Sequence, residues 1–519
     1  MAADDQGHGP PPWQSLTCLP DELLRLIAAA LDPRAFCRLA VACGVLAPLG
    51  SCDELWRCLA LRFLWPQDAE LLGLLAAGVA LARLPGGRCL GGTQGRRSPG
   101  WRMLFWAQRA ARNVLVVDVG FGYTKYGFPP SGVRPAVPPG VLQLCSSPTH
   151  PADAPRRGQF RAALARAGLA CEAQRLRLLV GEPFGLSTEA DAAAWREAFV
   201  QPQLPRGVTC LFVPQPLLAL LAHGAPADGV VVNIGQRETV AVACLGRRVC
   251  REAVSVVEGL GSSTLTQVLL EMLVARNVGV DWDMLTWCRD LKEQHCAVSP
   301  ERISAGDLDA ASQLAPPVEV RHGRIRLQLG PERYLVPEVL FRQGRGGLPW
   351  LVLQTVQQAA AAAPAAEREA IWSRLLMAIV LVGGTAQLPG LRNRLKSEIS
   401  ASLSKLRSTD GRPRRGLEVT VLPPVEGLGN ARTAVFHGGQ FAALAAATSE
   451  LASVACPELP PGAGEDFCEP EPMRRPCCVV PWRGPMRGLR GAVAATWRTA
   501  GSTFAAWGQR WSAASHTAT

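Results

Sequence analysis

Hydrophobic positions along this chain follow two regimes. Residues 13–83 repeat apolar side chains at three- and four-residue steps, the spacing that gives a helix one dry face. Leu23, Leu24, Ile27 and Leu31 form one stripe, Phe36, Leu39, Ala40 and Cys43 a second, and Leu55, Trp56 and Leu59 a third. From Asn113 to about Thr448 the apolar residues gather instead in short runs that read as strands. Val114–Val117, Val230–Asn233, Thr239–Cys244 and Ile379–Val382 are the clearest, each followed within a few residues by glycine. That pattern is expected where strands end at a ligand cleft. Gln357–Ala366 is Ala-rich and predicts a helix that Pro364 interrupts.

Residues 1–12 are polar and Pro-rich and predict disorder. Leu84–Gly100 is rich in Gly and Arg and reads as a basic, flexible linker. The end of the chain divides by charge: Glu450–Glu471 carries six acids and no bases, and Arg474–Arg510 seven arginines and no acids. Leu489, Val493, Trp497, Phe504, Trp507 and Trp511 lie close to one helical face there, a face weakened by Gly488, Gly491, Gly501 and Gly508.

The 519 residues give room for two or more domains and a large core. The net charge of +11 favours acidic partners or a nucleic-acid-rich compartment without establishing contact with nucleic acid, and a basic solvated surface accounts for it equally well. Seventeen cysteines occur without a CxxC pair, so no zinc arrangement follows. The N-terminus carries no export signal, and the cysteines are read as reduced core thiols in the cytosol or nucleus. The longest apolar stretch, Leu71–Ala82, is too short to span a bilayer and predicts a buried helix.

Two sets of motifs carry function. The first opens with Leu19-Pro20, places Asp21 and Glu22 at the positive end of a helix, passes Asp32-Pro33 and closes with Asp53-Glu54-Leu55-Trp56. Three short helices offer more apolar face than a core this small needs, and the surplus marks a partner-binding surface. This segment resembles the F-box family. The resemblance implies binding to a Skp adapter, and through it to a cullin. Leu19, Pro20, Leu23, Leu24, Ile27, Leu31, Pro33, Leu39, Leu55 and Trp56 would face that adapter or hold the face in shape. The aromatic residue that the family often places shortly after the Cys43 position is absent, the chain reading Gly44-Val45-Leu46.

The second set begins with Asp118-Val119-Gly120-Phe121-Gly122-Tyr123-Thr124-Lys125. A glycine turn between strands lets backbone N–H groups approach phosphate oxygens, Lys125 adds a cation, and Asp118 can hold a hydrated metal ion. Further along come Leu178–Leu186, Gln215–Gly224, Val230–Thr239, Cys288–Cys296, Pro331–Phe341, Leu381–Leu391 and Val421–Leu444. In that order they resemble the nucleotide-cleft segments of the actin family. The resemblance implies an α/β actin-like domain, the two-lobed ATPase fold, with ATP or ADP and Mg2+ as ligand or a pocket left empty. The implied nucleotide-binding residues are Asp118, Gly120, Gly122, Tyr123, Lys125, Gln215, Asn233, Gly235, Thr239, Lys292, Glu293, Gly383, Gly384, Thr385 and Arg432. Asp118 would reach the metal through water.

Departures from the family pattern govern the expected chemistry. Asn233 stands where actins have a metal-anchoring Asp, and an amide keeps hydrogen bonding but loses the charge. Val240 stands where they have a His, and it cannot position an attacking water. The small residues of the second turn become Gln236-Arg237-Glu238, with Arg237 placed to pair with phosphates, to block them or to point to solvent. Asp118 and Asn233 are 115 residues apart (233 − 118), shorter than in actin, and the deficit falls mostly between Gln143 and Leu178, where actin builds its outer lobe.

The expected architecture is therefore a small all-α F-box domain (13–65), a helical extension and linker (66–111), an actin-like domain with a reduced outer lobe (112–448) and an acidic-then-basic tail (449–519). The pairing resembles the F-box-bearing actin-related proteins of plants. It implies a non-catalytic, non-polymerising adapter that recruits an unknown protein substrate to a Skp–cullin–F-box ubiquitin ligase, in the nucleus, the nucleolus or the cytosol. The alternative is a nuclear structural subunit of a chromatin-associated complex.

Overall fold

The computed structural model describes residues 28, 49, 52 and 55–59, then 114–129 except 121, then 140–143, 160–165 and most of 177–453. The gaps in the last stretch are 205–207, 225, 277–279, 281–283, 304–307, 315, 324, 342–345, 407–413, 415 and 425–429. Among the expected adapter-binding residues, Leu19, Pro20, Leu23, Leu24, Ile27, Leu31, Pro33 and Leu39 lie outside the described residues, as do the linker and the tail beyond residue 453. A short helix at 55–59 is described, and its Leu55, Trp56 and Leu59 are buried within the chain.

Twelve strands are seen among the described residues. The first sheet joins β1 (Val114–Val119), β2 (Tyr123–Gly127), β3 (Gly140–Gln143), β4 (Arg177–Glu182) and β5 (Thr209–Pro214) in the order β3-β2-β1-β4-β5. β1, β2 and β3 pair antiparallel, and β4 and β5 add in parallel. The second sheet uses β6 (Gly229–Ile234), β7 (Glu238–Leu245), β8 (Arg248–Glu258), β11 (Ile379–Val382) and β12 (Val421–Leu422) in the order β8-β7-β6-β11-β12. Its polarity is the same. The fold is therefore an internal duplication with one strand order used twice. A separate hairpin, β9 (Val318–His322) with β10 (Ile325–Leu329), sits in the second half.

Among the described residues from 189 onward, ten helices pack on the sheets: α1 (Glu189–Trp195), α2 (Gln215–Leu221), α3 (Ser262–Ala275), α4 (Leu285–His295), α5 (Leu308–Gln313), α6 (Glu332–Leu335), α7 (Leu348–Ala361), α8 (Arg368–Leu376), α9 (Leu391–Leu403) and α10 (Ala434–Ser453). The four strand candidates read from the sequence lie within β1, β6, β7 and β11. The Ala-rich helix is α7, which ends three residues before Pro364. The last helix runs five residues past the boundary expected at 448.

Alternation along the strands explains the layering. In β1, Val114 and Val116 face one core while Leu115, Val117 and Val119 face another with Phe160 and Leu164. In β6, Val231 shares the first of these cores, while Val230, Val232 and Ile234 enter a third with α3, α4, α7, α8 and α9. The shared middle core holds α2 and α10, so these two helices are clamped between the sheets. They touch through glycine: a Cβ on Gly438 would lie 1.8 Å from the Leu218 carbonyl oxygen. This close crossing fixes the two halves and sets the turns at their strand ends against each other.

A buried arginine ties the second half together. Arg394 donates to Glu338 at 3.0 Å, to Glu398 at 2.9 Å and to the carbonyls of Ser299 and Glu301, with its guanidinium over the Phe341 ring. No helix among the described residues is long and apolar enough to cross a membrane.

Candidate functional site

The duplicated register places the two glycine turns equivalently. In the first half, Asp118 on β1 stands opposite Lys125 on β2. In the second, Asn233 on β6 stands opposite Val240 on β7. Both pairs are 115 residues apart (233 − 118; 240 − 125). The first pair is ionic: Lys125 Nζ is 2.6 Å from Asp118 Oδ2. Gln215, at the start of α2, donates to Asp118 Oδ1 at 2.8 Å and to the Val119 carbonyl at 3.1 Å. Both carboxylate oxygens of a buried Asp118 are thereby satisfied within the chain, as burial requires. The second pair is not ionic. Val240 is buried in the middle core with Val231 and Val242, where it offers neither proton acceptor nor hydrogen bond.

The turn backbones are tightly wound. Gly120 N–H donates to Tyr123 O at 3.0 Å, and Gly235 N–H to Glu238 O at 3.0 Å. The third turn, Gly383–Thr385, follows β11. Gly383 has φ of +99°, which glycine alone adopts without strain, and a Cβ there would meet the Ile234 carbonyl at 2.4 Å. Its N–H donates to Ala431 O at 2.9 Å, joining this turn to residues 430–433 before α10. Arg432 then reaches back to the first half, its guanidinium 5.0 Å from the centre of the Tyr123 ring. Thr239 is buried and donates to the Leu260 carbonyl. The first, second, third and closing turns are thus linked in a ring of contacts.

Lys292 and Glu293, expected beside a nucleoside, part company. Glu293 is exposed. Lys292 is buried and donates to Ser262 Oγ at 2.5 Å, to Thr266 Oγ1 at 3.2 Å and to the Ser262 carbonyl at 3.3 Å, pinning α4 to the first turn of α3. Burial holds its pKa below the ordinary lysine value. Arg237 is exposed. The residue between the turns is Gln236: a Cβ on Gly122 would lie 2.0 Å from its Oε1 and 3.0 Å from its Cδ. The sequence flagged this turn as bulky but gave no reason to single out Gln236 over Arg237. Two further features went unread. Thr385 Oγ1 is buried without a hydrogen-bond partner. His437 Nδ1 donates to Gln440 Oε1 at 2.8 Å, with burial holding its pKa below the usual histidine value and Lys125 adding to that effect.

The arrangement fits part of a nucleotide and not the rest. Gly384 has open space beside it, and Thr385 offers an unsatisfied hydroxyl on the same turn. The phosphate and metal portion fits poorly: Asp118 is neutralised by Lys125, Asn233 is uncharged, and Gln236 fills the gap between the turns. Among the described residues, no group of three or more His, Cys, Asp or Glu could hold a metal ion.

A family model described as Actin matches residues 205–445. The chain is 32% identical over 207 residues to actin-related protein 2 of Saccharomyces cerevisiae, covering 36% of this chain and 46% of that protein. It is 29% identical over 232 residues to actin-related protein 8 of Arabidopsis thaliana, covering 44% of each. The corresponding protein of rice, Oryza sativa subsp. indica, is 29% identical over 189 residues. The chain spans less than half the length of these curated relatives. Residues 205–445 are an actin-like α/β domain with mixed sheets.

Proposed function

We propose that this chain is a non-catalytic adapter whose recognition module is an actin-like domain. The domain would begin before residue 205, because β1–β5 repeat the strand order of β6–β8, β11 and β12. The observation that carries the reading is the second register pair. Asn233 opposite Val240 supplies neither a charge to anchor a metal nor a group to orient water. Losing either function typically slows hydrolysis by roughly two or more orders of magnitude. The fold would then act as a rigid platform, with ATP or ADP turnover outside its role. The 115-residue spacing of Asp118 and Asn233, short for an actin, supports a monomeric domain over a filament.

The N-terminal segment supplies the adapter half of the proposal. Leu19-Pro20 through Trp56 has the F-box pattern, and a Skp-like adapter, with a cullin behind it, is the partner it would recruit. The protein substrate would touch the actin-like surface or the tail. Affinity purification of the full chain tests this: a Skp adapter and a cullin should co-purify, and Leu23→Asp with Leu24→Asp should remove both. Absence of the adapter from the wild-type sample would overturn the ligase reading.

A second reading rests on the net charge of +11 together with the likeness to actin-related proteins. Here the chain is a nuclear structural subunit of a chromatin-associated complex. Recovery of such a complex without cullin in the same purification selects it.

A further inference from the structure

We infer that Gln236 is a resident occupant of the gap between the two glycine turns, closing the crevice from within and excluding polyphosphate ligands. The inference deepens the reading of this crevice as chemically idle and rests on it.

The contact is close along the whole side chain. A Cβ placed on Gly122 would lie 2.0 Å from Gln236 Oε1, 3.0 Å from its Cδ and 3.6 Å from its Cβ. A methyl group there would push the amide end of Gln236 aside, and a phosphoryl group held between the turns would have to do the same. The backbone that carries that side chain is anchored. Gln236 O accepts from Ser263 N–H at 2.9 Å and from Ser263 Oγ at 2.6 Å, which ties the turn to the start of α3. Gly261 packs so tightly on this carbonyl that a Cβ there would lie 2.5 Å from it.

Groups suited to a phosphate are engaged elsewhere. Backbone donors at Gly120, Gly235, Ser262, Ser263 and Gly383 all reach chain carbonyls at 2.9–3.0 Å. Lys125 is paired with Asp118, and Lys292 with Ser262 and Thr266. A polyphosphate would have to displace the Gln236 side chain from its place against Gly122 and break the Asp118–Lys125 ion pair to occupy the space between the first two turns. The two halves are instead bridged by an amide that belongs to the chain.

The test uses the full chain, stripped of nucleotide, in thermal unfolding and fluorescent-nucleotide titration with Mg-ATP and Mg-ADP. Wild type should show no shift in Tm and no saturable binding at millimolar nucleotide. Gln236→Ser should bind at least tenfold more tightly than wild type and gain a concentration-dependent Tm shift. Gly122→Ala should lower Tm in wild type and have little effect in the Gln236→Ser background, because the clash partner is gone. Wild type protected by Mg-ATP overturns the proposal whether or not the variants fold. Binding in neither protein overturns the assignment to Gln236. A failed co-purification with a Skp adapter leaves the inference standing, and nucleotide protection of wild type leaves the co-purification result untouched.

Discussion

Asp118 and Asn233 occupy the same register position in the two halves, and only Asp118 keeps an ionic partner. Asp118 meets Lys125 Nζ at 2.6 Å, whereas Asn233 faces the apolar Val240. The second half therefore shows what the first tolerates if both charges go together. Lys125→Met alone strands a buried carboxylate with Gln215 as its remaining donor and should cost about 3 kcal/mol. Asp118→Asn combined with Lys125→Met recreates an amide facing an apolar chain and should recover most of that loss. Urea unfolding of the two single variants and the double variant measures the coupling.

The crossing of α2 and α10 gives a second prediction. Gly438→Ala should gain up to about 1 kcal/mol in helix propensity. Against this, the new Cβ would lie 1.8 Å from Leu218 O, a backbone atom of another helix that no rotamer change can move. Overpacking of this kind costs roughly 1–3 kcal/mol or more, so the clash should win. The expected result is a lower unfolding midpoint, measured by urea titration. An unchanged midpoint would show that the helices can separate without penalty.

The strands and the glycine turns were legible because short apolar runs and glycine are local signals. Val114–Val119 is apolar at five of six positions, which marks a strand buried on both faces, while its division between two cores shows only in the fold. Asn233 and Val240 could be read as departures because their neighbours fix the frame. What the sequence hid depends on approach between the two halves. Gln236 matters because Gly122 comes to it, and Lys292 turns toward Ser262 because α4 packs on α3. Neither contact has a local pattern. The duplication itself was also hidden, since hydrogen-bond order conserves it while the side chains have diverged.

The thiols supply a third prediction. The described cysteines are all free. Burial pushes Cys210 and Cys296 up to about 12 and Cys250 and Cys288 up to about 11, and it raises Cys244 as well. Thiols of this kind stay protonated at neutral pH and react slowly. Cys58 is exposed. Alkylation at pH 7.5 followed by mass spectrometry should label Cys58 at least tenfold faster than Cys244, Cys288 or Cys296. Denaturant should erase that difference. Fast labelling of Cys244 in native protein would show that the middle core opens on the labelling timescale.

Acid sensitivity should arise in part from one histidine. His223 is buried two residues beyond the end of α2, with Nδ1 2.7 Å from Ala219 O and Nε2 without a partner. Burial pulls its pKa from 6.5 down to about 4, and Arg392 acts in the same direction. The unfolded chain therefore binds a proton between these values while the folded chain does not. Stability then rises with pH in this window and falls on acidification from about 6.5. Between pH 6.5 and 5, before most carboxylates titrate, His223 should account for a loss of about 2 kcal/mol. His223→Leu removes that proton uptake, so its unfolding free energy should be flatter over the same interval, whatever its value at pH 7.5. His437, also depressed by burial, contributes with the same sign and leaves a residual slope. Equilibrium urea unfolding at half-unit pH steps distinguishes the two curves, and parallel curves would show that His223 titrates without the burial described here.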